Sequence, residues 1–396
     1  MPENFHIDMP EAVRNIIHTI EEHGFKAYAV GGCIRDSILG RNPDDWDITT
    51  SAVPSQIKTF FKRTVDTGIA HGTVTIMIDK TGYEVTTYRI DGEYEDGRHP
   101  KSVEFSDRLV DDLCRRDFTI NAMAYNDTDG FVDEFKGLDD LDTKIIRCVG
   151  EPELRFTEDA LRMMRAIRFS AQLGFTIDEA TWNAIKKLSP SISKISMERV
   201  HVELGKTLMS AHPDYVAQYS EAGLFAPILP VIDNALKSRY KRKILATLQH
   251  TPDNIYLRYA ALFITSTPDE AAKTLRALKL DNKTVNTVSK LVELSKMDIE
   301  ETEPAVRTAL NKYGRDFLPL WHELMMAVIQ ASEDITGISN PAKVKHLLTL
   351  KRLGTDILAR GDCFTIKDLD ISGNDLIEYG LSLIHISEPT RRTPIS

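Results

Sequence analysis

Residues Val30 to Thr50 read VGGCIRDSILGRNPDDWDITT, and this stretch sets the expectation for everything around it. An apolar strand from Ala27 to Val30 runs into Gly31-Gly32, where the lack of side chains lets backbone N–H groups and a helix start approach an anion. The following CIRDSILG predicts a short helix ending at Gly40, with Arg35 and Asp36 in its first turns. Asp45 and Asp47 then flank Trp46 in an extended run, and a two-residue period sends both carboxylates to one face of a strand. Like charges that close repel unless a cation lies between them, and oxygen ligands beside a polyphosphate suit Mg²⁺. In outline this is a two-metal site for phosphoryl or nucleotidyl transfer.

Each piece alone is weak. A bare D-x-D is most often a solvated turn or edge feature, and Gly-Gly most often a tight turn. The ordered set of strand, Gly-Gly, helix with Arg-Asp and D-x-D on the next strand is much rarer. It resembles the signature of the nucleotidyltransferase superfamily.

The 396 residues are enough for two or more domains with sizeable cores. A hydrophobic content of 42% with 27% charged residues is that of a soluble globular protein. No run of eighteen or more apolar residues exists, and the N-terminal MPENFHIDMPEAV lacks a basic region followed by an apolar one, so neither a membrane span nor a signal peptide is expected. Cys33, Cys114, Cys148 and Cys363 lie far apart and form no C-x-x-C pair, which argues against a disulfide framework or structural zinc and fits a reducing cytoplasm. The net charge of −10 argues against a nucleic-acid partner unless local basic patches exist.

Residues 9–23 carry Val13, Ile16, Ile17 and Ile20 at helical spacing and stop at Gly24. A helix starting near Pro54 turns Ile57, Phe60 and Phe61 inward. Strands around Thr73–Ile78 and Tyr83–Tyr88, joined by a turn over Asp79, Lys80, Thr81 and Gly82, predict a β-hairpin. The segment from Tyr88 to Pro100, YRIDGEYEDGRHP, has no period and reads as a mobile loop. A short strand at Val103 to Phe105, a helix to Cys114 and small strands near Tyr125 and Phe131 complete a compact α+β unit ending at about Cys148. From Glu151 onward helical periodicity takes over, punctuated by prolines and without a fixed-period repeat. The last sixteen residues, LSLIHISEPTRRTPIS, break from the preceding sequence and read as a non-native or disordered appendage, excluded from fold reasoning.

Glu84, between Tyr83 and Val85, is either a third carboxylate beside the metals or an ordinary exposed acid on a half-buried strand, at even weight. His71 between Ala70 and Gly72 is either a contact for substrate phosphate or, the favoured reading, a turn histidine without a duty. RRDFTINAMAY, from Arg115 to Tyr125, offers forked donors for phosphate or ribose and an acceptor for a sugar hydroxyl; taken alone, Asp117 capping a helix with solvated arginines is the favoured reading. TEDALRMMRAIRF, from Thr157 to Phe169, predicts a helix capped at Thr157 with Glu158 and Asp159 in its first turn. Asp159 and Arg162 are neighbours on one face, with Glu158 four before Arg162. An acceptor and a planar donor side by side can pair with the edge of a base, worth about 1–3 kcal/mol of discrimination. On spacing alone, plain ion pairing is the better explanation.

GGCIRD with DDWDI, the HGTVTI hairpin, DGEYEDGRHP, DLCRRDFTINAMAY, RFTEDALRMMRAIRF and ISMERVHVELGKTL together resemble, in order and spacing, the class II tRNA nucleotidyltransferases, the bacterial CCA-adding enzymes, and their poly(A) polymerase relatives. The likeness covers about Glu22 to Leu208 and more loosely the remainder to Gly380. It implies an α+β fold: a nucleotidyltransferase head with a mixed β-sheet and flanking helices, then an all-α neck, body and tail. The divisions expected are 1–148, 149–212, 213–300 and 301–380, with 381–396 the appended tail.

The resemblance implies template-independent addition of CCA to the 3′ end of tRNA from CTP and ATP. Asp45 and Asp47 would hold two Mg²⁺ ions, and Arg115, Arg116 and Asp117 ribose and triphosphate, with Gly32, Arg35 and Asn121 in the nucleotide-binding set. Glu158, Asp159, Arg162 and Arg165 would form the protein template and Glu198 and Arg199 the neck support. Arg89, Asp91 and Arg98 belong to the flexible loop needed for the final A. The partners implied are tRNA, CTP and ATP, without a membrane. A poly(A) or A-adding polymerase is the alternative, and a non-catalytic RNA-binding module fits least with the intact acid pair. No H…HD pattern suggests a second, phosphohydrolase activity. Lys237 to Lys243 (KSRYKRK), Lys273 with Arg276 and Lys279, and Lys343, Lys345, Lys351 and Arg352 are the basic clusters that such a partner requires.

Overall fold

The computed structural model describes residues 6–92, 103–363 and 373–378. The N-terminal unit is built from α1 (Glu11–Glu22), β1 (Ala27–Val30), α2 (Gly32–Ile38), β2 (Ile48–Thr50), α3 (Pro54–Phe60), β3 (Thr64–Gly68), β4 (Thr73–Ile78), β5 (Thr81–Thr87), β6 (Arg89–Asp91), β7 (Val103–Phe105), α4 (Leu109–Cys114), β8 (Met123–Asn126), β9 (Gly130–Asp133), α5 (Gly137–Asp142) and β10 (Ile145–Ile146). Seven strands form one sheet in the order β3-β4-β5-β2-β1-β8-β9. Only β2 and β5 run parallel within it, so the sheet is mixed.

β1 is buried throughout, and its side chains alternate between two cores. Ala27 and Ala29 enter the main core with Val13, Ile16 and Ile20 of α1. Tyr28 and Val30 enter a smaller one with Tyr88, Leu113, Ala124 and Val149. This second core seats α4, and with it Arg115 and Arg116, on the sheet face opposite α1.

The hairpin between β4 and β5 turns over two residues, not the four expected. Ile78 pairs with Thr81, and Asp79 and Lys80 have φ of 48° and 72°, the pair of positive values that matches the twist of the flanking strands. β3 was not expected from the sequence; TVDTG lies at the sheet edge with its middle exposed and so lacks an apolar alternation. The expected loop from Tyr88 to Pro100 is framed at its start by β6, which pairs with β7; residues 93–102 lie outside the described part. The D-x-D pair sits on the run into β2, not within it. Val30 N–H still donates to Asp47 O at 3.0 Å, and exposure alternates from Asp45 through Trp46 and Asp47 to Ile48. Asp117 caps no α-helix: a 3₁₀ turn over Thr119–Asn121 leads directly into β8.

Helices follow: α6 (Pro152–Glu158), α7 (Leu161–Leu173), α8 (Glu179–Leu188) and α9 (Met197–Leu208), then further helices to Arg360. One strand, β11 (Thr176–Ile177), interrupts this expected all-helical stretch and pairs in parallel with β10, tying it to the head. The helix expected from Thr157 to Phe169 is two helices. Asp159 is extended, with φ −144° and ψ 104°, and its carboxylate accepts from Leu161 N–H at 3.0 Å, starting α7 afresh. Among the described residues no helix is long and apolar enough to cross a membrane.

Candidate active site

β2 lies beside β5 with Ile48 opposite Val85, and the same register carried one residue back puts Asp47 beside Glu84. Although Asp47 is exposed as a residue, loss of water around its carboxylate and then the like charges of Asp45 and Glu84 raise its proton affinity; Arg116 pulls it down. Asp45 accepts from Trp46 N–H at 3.0 Å. The pair and Glu84 thus form an acidic surface held at an electrostatic cost. No group of three or more His, Cys, Asp or Glu side chains forms a ready metal cage among the described residues. Under-compensated oxygen donors of this kind fit hard divalent cations whose remaining positions are filled by phosphate oxygens and water.

The wall opposite these acids is cationic. Gly31 has φ 87°, a backbone conformation that favours glycine, and a Cβ there would come within 2.8 Å of Arg116 Nη1, so that guanidinium would have to shift. Arg116 and Arg115 are both moored to Asp112, Arg116 at 3.2 Å and Arg115 at 2.6 Å. Asp112 is fully buried. Burial alone would raise its proton affinity, but the two guanidinium groups outweigh it and hold the carboxyl below the usual range. Arg116 Nε is buried without a hydrogen-bond partner among the described residues, a donor left over beside the acid pair. Sequence reasoning missed Asp112. Its signal was an acid in LVDDLC placed three and four residues before the arginines.

Arg35 is 8% exposed. It donates to both oxygens of Asp36 at 2.9 and 2.7 Å and to Asn121 Oδ1 at 2.6 Å. Asn121 in turn donates to Asp117 Oδ1 at 3.0 Å, and Arg165 Nε reaches Asp117 Oδ2 at 2.7 Å. Burial would raise the Asp117 carboxyl, but Arg165, Asn121 and Arg162 overcome it and bring it to about 2. Arg165 is thereby committed to Asp117. Gly32 opens α2, and its bare Cα faces Arg35, whose Nη2 would lie 3.6 Å from an added Cβ.

At the α6–α7 break Arg162 N–H donates to the Asp159 carbonyl at 3.0 Å, while among the described residues their side chains form no ion pair with each other. Arg162 donates to Glu158 Oε2 at 2.6 Å and to the carbonyl of Arg115 at 2.9 Å. Asp159 takes Arg199 of α9 at 2.7 and 3.2 Å. Glu198 is exposed and makes none of these contacts. Of the loop residues, Arg89 donates to the carbonyl of His71, Asp91 pairs with Val103 in the ribbon, and Arg98 lies outside the described residues.

Residues 27–147 match the family model for the Poly A polymerase head domain, and residues 174–236 match that for the probable RNA and SrmB- binding site of polymerase A. A CCA-adding enzyme of Streptococcus suis is 38% identical over 359 residues, covering 88% of this chain and 84% of its own. The chain belongs to the CCA-adding enzyme family. A second member, from Limosilactobacillus reuteri, is 49% identical over 230 residues, so that match spans 56% of the relative's length. The fold agrees with the crystal structure of the Bacillus stearothermophilus CCA-adding enzyme in complex with CTP, at 33% identity and a TM-score of 0.71 over 93% of this chain and 87% of that one.

In this family member the basic clusters are unequal. Within KSRYKRK, Lys237 already holds Asp233 and Lys241 holds Glu221, each near 2.8 Å or closer. Lys243 and Lys343, from separate clusters, line the same cavity of about 600 Å³. Lys273, Arg276 and Lys279 have no acid at ion-pair distance among the described residues.

Proposed function

We propose that the chain adds C, C and A in turn to the 3′ end of tRNA, using CTP and ATP and releasing pyrophosphate, without a nucleic-acid template. The reading rests on family membership and on one observation above all. Asp159 and Arg162 are neighbours, yet each is fixed by its own partner, Arg199 and Glu158, so acceptor and donor are presented without neutralising each other. That is the arrangement a protein needs to read the edge of a base.

Asp45 and Asp47 would hold two Mg²⁺ ions, with Glu84 adding to the acidic field. Bound there, the ions supply charge stabilisation on the attacking and leaving oxygens of the α-phosphate. The chain's own groups do the rest. Arg116, moored by Asp112, brings a guanidinium charge to the triphosphate. Arg35, Asn121 and Asp117 shape the floor beside the glycine turn, and the start of α7 selects the base. The head, neck, body and tail divide at about 148, 212 and 300, with tRNA phosphates along the basic clusters of the last two. A cytoplasmic location suits these substrates.

The test is extension of a tRNA ending at its discriminator base with CTP and ATP. A product three residues longer and ending CCA is expected. A long A tract, or no transfer, overturns the proposal.

A further inference from the structure

Phe169 of α7 is 5% exposed, which by itself describes an ordinary core residue. Its surroundings are not ordinary. Three guanidinium groups lie against its ring: Arg168 at 3.9 Å from the centroid, Arg35 at 5.0 Å and Arg165 at 5.3 Å. Phe118 meets the ring edge-on at 5.7 Å. Arg35 and Phe118 come from the head, whereas Phe169, Arg165 and Arg168 belong to the helix that follows the base-reading pair.

Three cations around one ring repel each other, so each has its own carboxylate. Arg35 holds Asp36 at 2.7 Å, Arg165 holds Asp117 at 2.6 Å, and Arg168 holds Glu203 of α9 at 2.7 Å. The pairs cancel the charge, and the ring, with its negative face, sets where the cations sit. Two of them, Arg35 and Arg165, are the two ends of the chain running through Asn121 and Asp117. The ring therefore closes a loop: Arg35, Asn121, Asp117, Arg165 and back to Arg35 through Phe169. An aliphatic side chain of similar volume would fill the space and leave the loop open.

We propose that Phe169 is a positioning residue for nucleotide selection. It holds the head's nucleotide-binding chain in register with α7, so that the phosphate and sugar of an incoming nucleotide are fixed against the same frame as its base. This rests on the nucleotidyl-transfer reading above. It adds a residue that closes the TEDALRMMRAIRF stretch without being singled out by it, and to which no direct substrate contact points.

The experiment compares F169L with F169Y, which keeps the ring face, and adds F169M should the leucine variant not fold. Steady-state CTP incorporation into tRNA is measured for each, with UTP as the wrong pyrimidine, alongside thermal melting. The expected result for F169L is a rise in KM for CTP of roughly tenfold, about 1.4 kcal/mol, with a smaller change in kcat and a fall in the preference for CTP over UTP. F169Y restores both. A purely structural role lowers the melting temperature and leaves the preference intact; that result, or equal behaviour of the leucine and tyrosine variants, overturns the proposal. Calorimetric binding of CTP and UTP to wild type and F169L reads the same preference without transfer, so a wild-type protein that extends no tRNA defeats the activity reading and still leaves this one decided.

Discussion

The acid pair beside the glycine turn and the carboxylates where the sheet meets α6 and α7 are treated in opposite ways. Beside the glycine turn Asp47 is pushed toward protonation by loss of water around its carboxylate and then by the like charges of Asp45 and Glu84, with Arg116 only partly offsetting them. At the junction with the neck Asp117 is drawn down to about 2 by Arg165, Asn121 and Arg162 against the cost of its burial, and Asp159 is gripped by Arg199. An under-compensated acid is a place for a cation to arrive. A saturated one is a fixed part. The contrast assigns chemistry to the first region and geometry to the second.

The largest effect that breaks this contrast is on rate. Asp47→Ala is expected to lower nucleotide transfer about a thousandfold, since several kcal/mol of charge stabilisation are lost and each ~1.4 kcal/mol is tenfold; single-turnover kinetics measures it. Next, Arg162→Ala is expected to lose roughly ten- to a hundredfold in choice of base, as one good pairing is worth about 1–3 kcal/mol, with a much smaller loss of rate. Competition among the four nucleoside triphosphates checks this, and unchanged selectivity would sink the template assignment.

Asp117 sharpens the comparison through pH. Its folded value lies near 2, below its ordinary 3.8, so its ionised form favours the folded state. That contribution, about 2 kcal/mol, is present above pH ~4 and is lost as pH falls toward ~2. Asp117→Asn should therefore melt several degrees below wild type at pH 7, and the gap should close progressively under pH ~4; a gap independent of pH contradicts the account. For Asp47 the sign is reversed. A raised carboxylate costs stability when ionised, so Asp47→Asn in metal-free buffer should melt slightly above wild type at pH 7, and a lower melting temperature would show that no repulsion is stored there.

Much of the head was legible because its signals are local. The Gly31-Gly32 turn, the D-x-D pair and the β4–β5 hairpin each follow from a few adjacent residues. Most of what escaped depends on burial and on partners far away in the chain. Nothing between Thr157 and Leu161 breaks a helix by composition. The Asp159 carboxylate at the break accepts from Leu161 N–H and from Arg199, forty positions on, so tertiary pairing joins a local cap in overriding propensity there. Asp112 looked like one acid among several until burial and two guanidinium groups singled it out. Phe169 looked like any apolar residue on a helical face, since its distinction lies in the arginines that three-dimensional packing brings to it.

The direct measurement is calorimetric titration of Mg²⁺ into wild type, Asp47→Asn and Arg199→Ala, all without nucleotide. The account predicts a binding signal in wild type that is weakened or lost in Asp47→Asn and kept in Arg199→Ala. Equal Mg²⁺ binding by wild type and Asp47→Asn would contradict it.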